Sequence, residues 1–215
     1  MEPRNRNVLG TAIVAASAFA GLSLVGNLPK EVAIHFGPAG SPDSHVGRTA
    51  AVVALPAVQA LLVGVFAVIP RIDPLGENIR EFGRGYDVLA LSTVGFVGYS
   101  HVVVLLWNAG YTFSVSQAVA PAVAALYYTV GTVLERAEQN WFVGIRTPWT
   151  LSDEQVWEDT HAIGGSLFKM ISVPALVGAV LPRYTVALIA VPAVFVGVGT
   201  AAYSYWDYRR LTQAA

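Results

Sequence analysis

The stretch TAAVVALPAVQALLVGVFAVIP, Thr49 to Pro70, decides the fold. It contains no Asp, Glu, Lys or Arg, and only Thr49 and Gln59 are polar. A helix rises 1.5 Å per residue, so a run of about 20 residues crosses the roughly 30 Å hydrocarbon core of a bilayer. A helix apolar on every face is buried on every face, in a large core or in lipid. Five further blocks of this kind follow the same logic, and the expected spans run over 8–26, 49–70, 88–109, 113–134, 162–182 and 184–206. The fold expected is all-α, a polytopic membrane protein of six transmembrane helices.

Composition agrees. The 215 residues are 54% hydrophobic and 13% charged, against about a quarter charged in soluble domains. Mean hydropathy is +0.54. The net charge of −1 supplies no field for direct nucleic-acid binding. With no cysteine, disulfides, thiolate metal sites and cysteine nucleophiles are excluded. The first block follows Arg4 and Arg6, as a signal peptide would. It is long for one, however, and no small-x-small site closes it before Asn27. It is read as a span.

Polar segments fall at 27–48, 71–87 and 135–161, while the connections at 110–112 and 183 make tight hairpins. Basic residues retained on the cytoplasmic side set direction. With the N-terminus inside, Arg4, Arg6, Arg71, Arg80, Arg84, Arg136, Arg146, Arg209 and Arg210 lie inside, against Lys30, Arg48 and Arg183 outside. That balance puts both termini in the cytoplasm and the 27–48 loop outside. Four spans each hold a Pro-Ala dipeptide, at Pro56, Pro121, Pro174 and Pro192. In an alanine-rich chain this does not establish duplication. The expected division is a two-helix unit over 1–87 and a four-helix unit over 88–215.

The 135–161 segment concentrates polar and aromatic residues, including Trp141, Trp149 and Trp157. Ser152-Asp153-Glu154-Gln155 reads as a capping box opening a short amphipathic helix over 153–161. The tryptophan rings and Phe142 suit the membrane interface. The plain reading is an interfacial anchor. The sharper one is a binding surface built from Asn140, Arg146, Thr147, Trp149, Asp153, Trp157 and His161. Arg146 would be its main donor, reaching Asp153, Glu154, the end of the fourth span or a partner. His161, Gly165 and Lys169 recur at i, i+4 and i+8, on one helix face. Lys169 stands well inside a span, where a charge is costly and often functional. It either snorkels or pairs, with Glu135, Glu138 and Asp207 as candidates.

NWFVGIRTPWTLSDEQVWEDTHAIGGSLFK, Asn140 to Lys169, resembles the signature of the SdpI family of multi-spanning prokaryotic immunity proteins. Asn140, Gly144 through Ser152, Trp157, Thr160, His161, Gly164 and Gly165 carry the match. LPKEVAIHFGPAGSPDSHVGR, Leu28 to Arg48, is similar to an uncharacterised extracytoplasmic motif that often precedes it. Leu28, Pro29, His35, Phe36, Gly40, Pro42, Asp43 and Arg48 fit, although the basic position is usually lysine. The resemblance implies an immunity or receptor protein of the cell membrane, of prokaryotic type, with its nearest members expected among the archaea. It also implies two partners besides the lipid bilayer: a secreted peptide toxin at the outer face and a transcriptional repressor at the cytoplasmic face.

No catalytic signature accompanies these motifs: HExxH, GxSxG and the P-loop are all missing. The protein is expected not to be an enzyme, and no cofactor is expected. His35, Asp43 and His45 could approach a metal, but their spacing fits no standard zinc site, so no metal is expected. Gly37, Pro38, Gly40, Ser41 and Pro42 read as turns. His101 reads as a packed histidine bonded to a carbonyl. The competing function is a small membrane transporter or exporter, which would draw its polar path from Lys169, His101, Gln59, Asn108 and Gln117.

Overall fold

The computed structural model describes residues 2–37 and 40–214; Pro38 lies outside them. The chain runs α1 (Pro3–Leu24), a 3-10 turn (Val25–Asn27), β1 (Glu31–Phe36), β2 (Pro42–Gly47), α2 (Arg48–Ile72) and α3 (Gly76–Glu81). It continues with α4 (Gly83–Asn108), α5 (Val115–Leu134), α6 (Pro148–Ser152), α7 (Glu154–Val177) and α8 (Thr185–Ala214). α1, α2 and α4 pack together, as do α5, α7 and α8, and α4 also packs against α5. The architecture is all-α apart from one hairpin, as the apolar blocks require.

Among the described residues five helices are long and apolar enough to cross a membrane: α1, α2, α4, α5 and α8. The sixth long helix, α7, is not among them; Glu154, Glu158 and Asp159 lie in its first two turns and Lys169 further along. Many large apolar side chains point outward, among them Phe19, Leu61, Val180 and Phe195. A water-soluble protein rarely exposes apolar patches of this extent; lipid supplies the missing cover.

Where backbones approach, glycine makes the approach possible. A Cβ on Gly131 would stand 2.5 Å from the Gly165 carbonyl oxygen, and a Cβ on Gly165 would stand 2.7 Å from the Gly131 oxygen. α5 and α7 therefore touch backbone to backbone, the close packing that small residues allow in lipid. The internal prolines Pro56, Pro121, Pro174 and Pro192 all lie within continuous helices.

Gly37, Gly40 and Ser41 turn as expected, Gly37 N donating to Ser41 O and Gly40 N to Gly37 O, while Pro42 already opens β2. The turn joins β1 and β2, which pair antiparallel, Glu31 opposite Gly47 and Phe36 opposite Pro42. Other sequence expectations need correction. The 71–87 segment contains α3, and α4 begins at Gly83 rather than 88. The helix after α6 does not start at Ser152. Asp153 is its N-cap, extended at φ −147°, ψ 126°, with its side chain accepting from Val156 N. The capping box lies one turn earlier, where Thr147 and Thr150 satisfy each other's backbone N–H at the start of α6. The expected short helix and fifth span are one continuous α7, ending at Val177.

The hairpin is held on the helix ends. Asn108, at the last turn of α4, donates Nδ2 to Ala33 O and accepts from Ala33 N, both at 2.9 Å. Phe36 meets Trp107 edge-to-face at 4.9 Å. Leu28, Val32, Ala51, Val52 and Leu105 form the apolar cluster beneath.

Candidate functional site: the segment between α5 and α7

The chain leaves α5 at Glu135 and has no regular structure until Pro148. Such a segment must satisfy its backbone groups locally or leave them unpaired at a cost. Asn140, fully buried, does much of this. Its Oδ1 accepts from Phe142 N (3.0 Å) and Val143 N (2.6 Å), and its Nδ2 donates to Glu138 O (2.8 Å) and Val143 O (2.9 Å). One amide side chain thereby folds a turn around itself.

The turn is closed from α7. Ile145 N donates to His161 Nε2 at 2.9 Å, while His161 Nδ1 lies 2.8 Å from Trp157 O. Because Nε2 accepts, the proton sits on Nδ1 and the imidazole is neutral. Trp157 stacks on His161 at 3.9 Å and 19° and donates its indole N–H to Ala137 O at 2.6 Å. Gly144 passes this stack at φ +131°, where a Cβ would stand 2.4 Å from His161 Nε2. Only glycine meets both demands, the left-handed backbone and the missing volume.

Thr150 finishes the scaffold, donating Oγ1 to Ile145 O at 2.8 Å; Gln139 reaches Thr150 O at 2.8 Å. Thr147 Oγ1 lies 3.0 Å from Ser204 Oγ on α8, and Trp149 packs on Tyr205 at 4.9 Å. Two contacts reach into the N-terminal half. Asp73 accepts from Trp141 N at 2.9 Å, and Asn78 Nδ2 donates to Gln139 O at 2.7 Å. Ile79, Phe82, Tyr86, Val133, Val143 and Trp157 share one buried cluster behind the segment.

Of the residues singled out in the sequence, Asn140, Thr147, Trp149, Trp157 and His161 come together as this scaffold, and Asp153 caps α7. Trp157 is not an interfacial ring, being 1% exposed, whereas Trp141 at 50% and Phe142 at 39% face outward. Arg146 does not reach Asp153 or Glu154. It is exposed and donates Nη1 to Trp141 O at 2.7 Å, just past the end of α5. Lys169 pairs with Glu135 at 2.5 Å, the first of its three candidates, beside the Gly131–Gly165 crossing. Asp207 is taken instead by Arg210 at 2.7 Å.

The outer motif residues are spread along the hairpin. His35 and Asp43 pair across the strands at 2.5 Å, both well exposed. His45 stands opposite Ala33 in the ladder. Among the described residues no group of three His, Asp or Glu side chains is placed to hold a metal. Phe36 packs on Trp107, Arg48 Nε donates to Pro29 O at 3.1 Å, and Gly40 takes φ +79° in the turn. Pro42 pairs with Phe36 at the strand end. His101, buried, lies 2.8 Å from Ser17 Oγ and 3.2 Å from Ala51 O.

Sequence reasoning missed Asp73, Asn78 and Gln139 as partners of the segment, and it read Asn108 as a path-lining residue. Asp73 and Asn108 stand at helix ends, the one signal their positions gave, while Asn78 and Gln139 sit among other polar residues and gave none.

The fold and its two structured ends define a multi-pass α-helical membrane protein with a preformed polar segment at one end and a hairpin at the other. Residues 136–204 match the SdpI/YfhL protein family, and residues 12–60 match a domain of unknown function, DUF1648. The stretch that matches the SdpI/YfhL family model thus follows the stretch that matches DUF1648. It is similar to the immunity protein SdpI of Bacillus subtilis (strain 168), 25% identical over 214 residues, covering 96% of this chain and 97% of that protein. No solved structure matches.

Proposed function

We propose that this is a membrane immunity protein, a binder rather than an enzyme, which protects its host against a secreted antimicrobial peptide or toxin. The observation that carries this reading is the end-to-end similarity to an immunity protein, which includes both motif segments. The geometry supports it. The polar groups of the 135–161 segment are engaged in holding a surface together, as binding surfaces require, and are not aimed at a common reacting point.

The spans number six in this reading. Thr147 touches Ser204 near the end of α8, so α5 and α8 both finish at the same end of the bundle. The chain must return across the bilayer before α8 begins, and α7 is the helix available. The basic asymmetry then places both termini and the 135–161 segment in the cytoplasm, with the β1–β2 hairpin outside. Residues 1–87 would supply the outer surface and residues 88–215 the inner platform. The hairpin is where a toxin would be met. The platform, with Arg146, Trp141 and Phe142 exposed, is where a repressor would be held.

The test is survival of a Bacillus subtilis strain deprived of its own SdpI and grown beside the wild type. Expression of this chain is expected to restore survival, and death despite normal membrane levels overturns the reading. Orientation is read separately from single cysteines at Ser41 and Ser152, both exposed. In intact cells an impermeant thiol reagent should label the first and spare the second; the reverse pattern inverts the topology.

A further inference from the structure

The end of the bundle that carries the 135–161 segment also holds a cavity of about 400 Å³. It lies where the start of α1, the end of α2, α3 and the start of α4 meet. Three guanidinium groups line it, Arg6, Arg71 and Arg80, against one carboxylate, Asp87. Arg6 and Asp87 are both buried and paired at 3.1 Å, with the Arg6 guanidinium 5.1 Å from the centre of the Tyr86 ring. The Arg6–Asp87 pair is neutral; of Arg71 and Arg80, the second is paired with Glu77, so the net positive charge at the cavity is that of Arg71.

Neither of those two is saturated. A guanidinium offers five N–H groups. Among the described residues Arg71 gives Nη1 to Ala67 O at 2.8 Å, while Arg80 gives Nη1 to Glu77 and Nη2 to Pro70 O at 3.2 Å. The carbonyl contacts hold both heads at the cavity. Gly76 lets α3 come close enough, since a Cβ there would stand 2.6 Å from Pro70 O. The remaining walls are apolar, from Ala67, Pro70 and Ile79. Outside the cavity Val8, Val68 and Ile72 are exposed on the flanks of α1 and α2. A cationic recess with apolar walls, at the ends of spanning helices and beside lipid-facing aliphatics, suits a phosphate that carries acyl chains.

We propose that the Arg6–Arg71–Arg80 cavity binds the phosphate of an anionic lipid headgroup, whose chains lie along the outer faces of α1 and α2. The occupant bridges α1, α2 and α3. Because α3 holds the 135–161 segment through Asn78, lipid binding would also brace the platform.

The test uses the purified full chain, stripped of lipid, with native mass spectrometry and thermal unfolding as readouts. Phosphatidylglycerol should be retained as a single adduct about tenfold or more better than phosphatidylcholine, as expected for one or two charge-assisted contacts. The R71Q/R80Q double variant, altered only at exposed side chains, should unfold like wild type without lipid and lose that preference. Arg6 is left intact because its removal would break a buried ion pair with Asp87. Equal retention of the two lipids, or undiminished phosphatidylglycerol retention by the variant, overturns the proposal. Inorganic phosphate is the second arm. Stabilisation by millimolar phosphate that the variant loses, with no preference between lipids, would assign the cavity to a soluble phosphate and overturn the lipid assignment.

Discussion

The two structured ends of the molecule are built on opposite principles. The hairpin is an exposed object resting on the bundle, tied down by Asn108, by the Phe36–Trp107 contact and by a small apolar cluster. Its own polar pair, His35–Asp43, faces away from the protein. The 135–161 segment is woven into the bundle. Asn140, Thr150, Trp157 and His161 are all 2% exposed or less, and each bonds backbone that no helix or strand would satisfy. A loosely tied surface tolerates change in its sequence, whereas a woven one does not. The hairpin is thus the freer of the two to vary in sequence, and the 135–161 segment must keep its residues to keep its shape.

The comparison would break first at Trp157. Trp157→Ala removes a fully buried ring, its stack on His161 and its bond to Ala137 O together. A loss of about 3–5 kcal/mol is expected, read as a large fall in membrane abundance and in the unfolding temperature of purified protein. If the variant accumulates and unfolds like wild type, the segment is not woven in at all.

An intermediate effect is expected at the outer end. Asn108→Ala removes both bonds to Ala33, worth about 1–3 kcal/mol. The loss should stay local, because the hairpin opens without unfolding the bundle. Hydrogen exchange over residues 31–36 should accelerate while exchange in α5 and α7 stays unchanged. Accelerated exchange throughout the chain would show the hairpin to be as integral as the platform.

The smallest effect on stability belongs to Arg146→Lys. The side chain is exposed, and the ammonium can still approach Trp141 O, so stability should move by less than about 0.5 kcal/mol. What the change removes is the planar fork. A variant that reaches the membrane normally but no longer protects the host sharpens the distinction between scaffold and exposed face. A variant missing from the membrane makes Arg146 part of the scaffold, and one that behaves as wild type in both assays leaves Arg146 with neither role.

Membrane class, helix placement and the two informative segments were legible in the sequence, because each depends on local quantities. Length and hydropathy declare a span such as Thr49–Pro70 wherever it packs, and the polar runs between spans stand out against their apolar surroundings. The tertiary structure decided which polar atom answers which. Lys169 had three carboxylates available by position, and the Gly131–Gly165 crossing delivered it to Glu135. Asn108 looked like a residue lining a path until the hairpin's Ala33 arrived beside it. Ser152 and Asp153 are both good caps by type, and the choice of Asp153 followed from α6 running through Ser152. Trp157 suited an interface by its chemistry, but the stack on His161 and the Ala137 carbonyl drew it inside. Hydrophobic periodicity is summed along the chain and survives without knowledge of neighbours. Hydrogen bonds and ion pairs act over about 3 Å, between atoms whose approach only the packing of the helices determines.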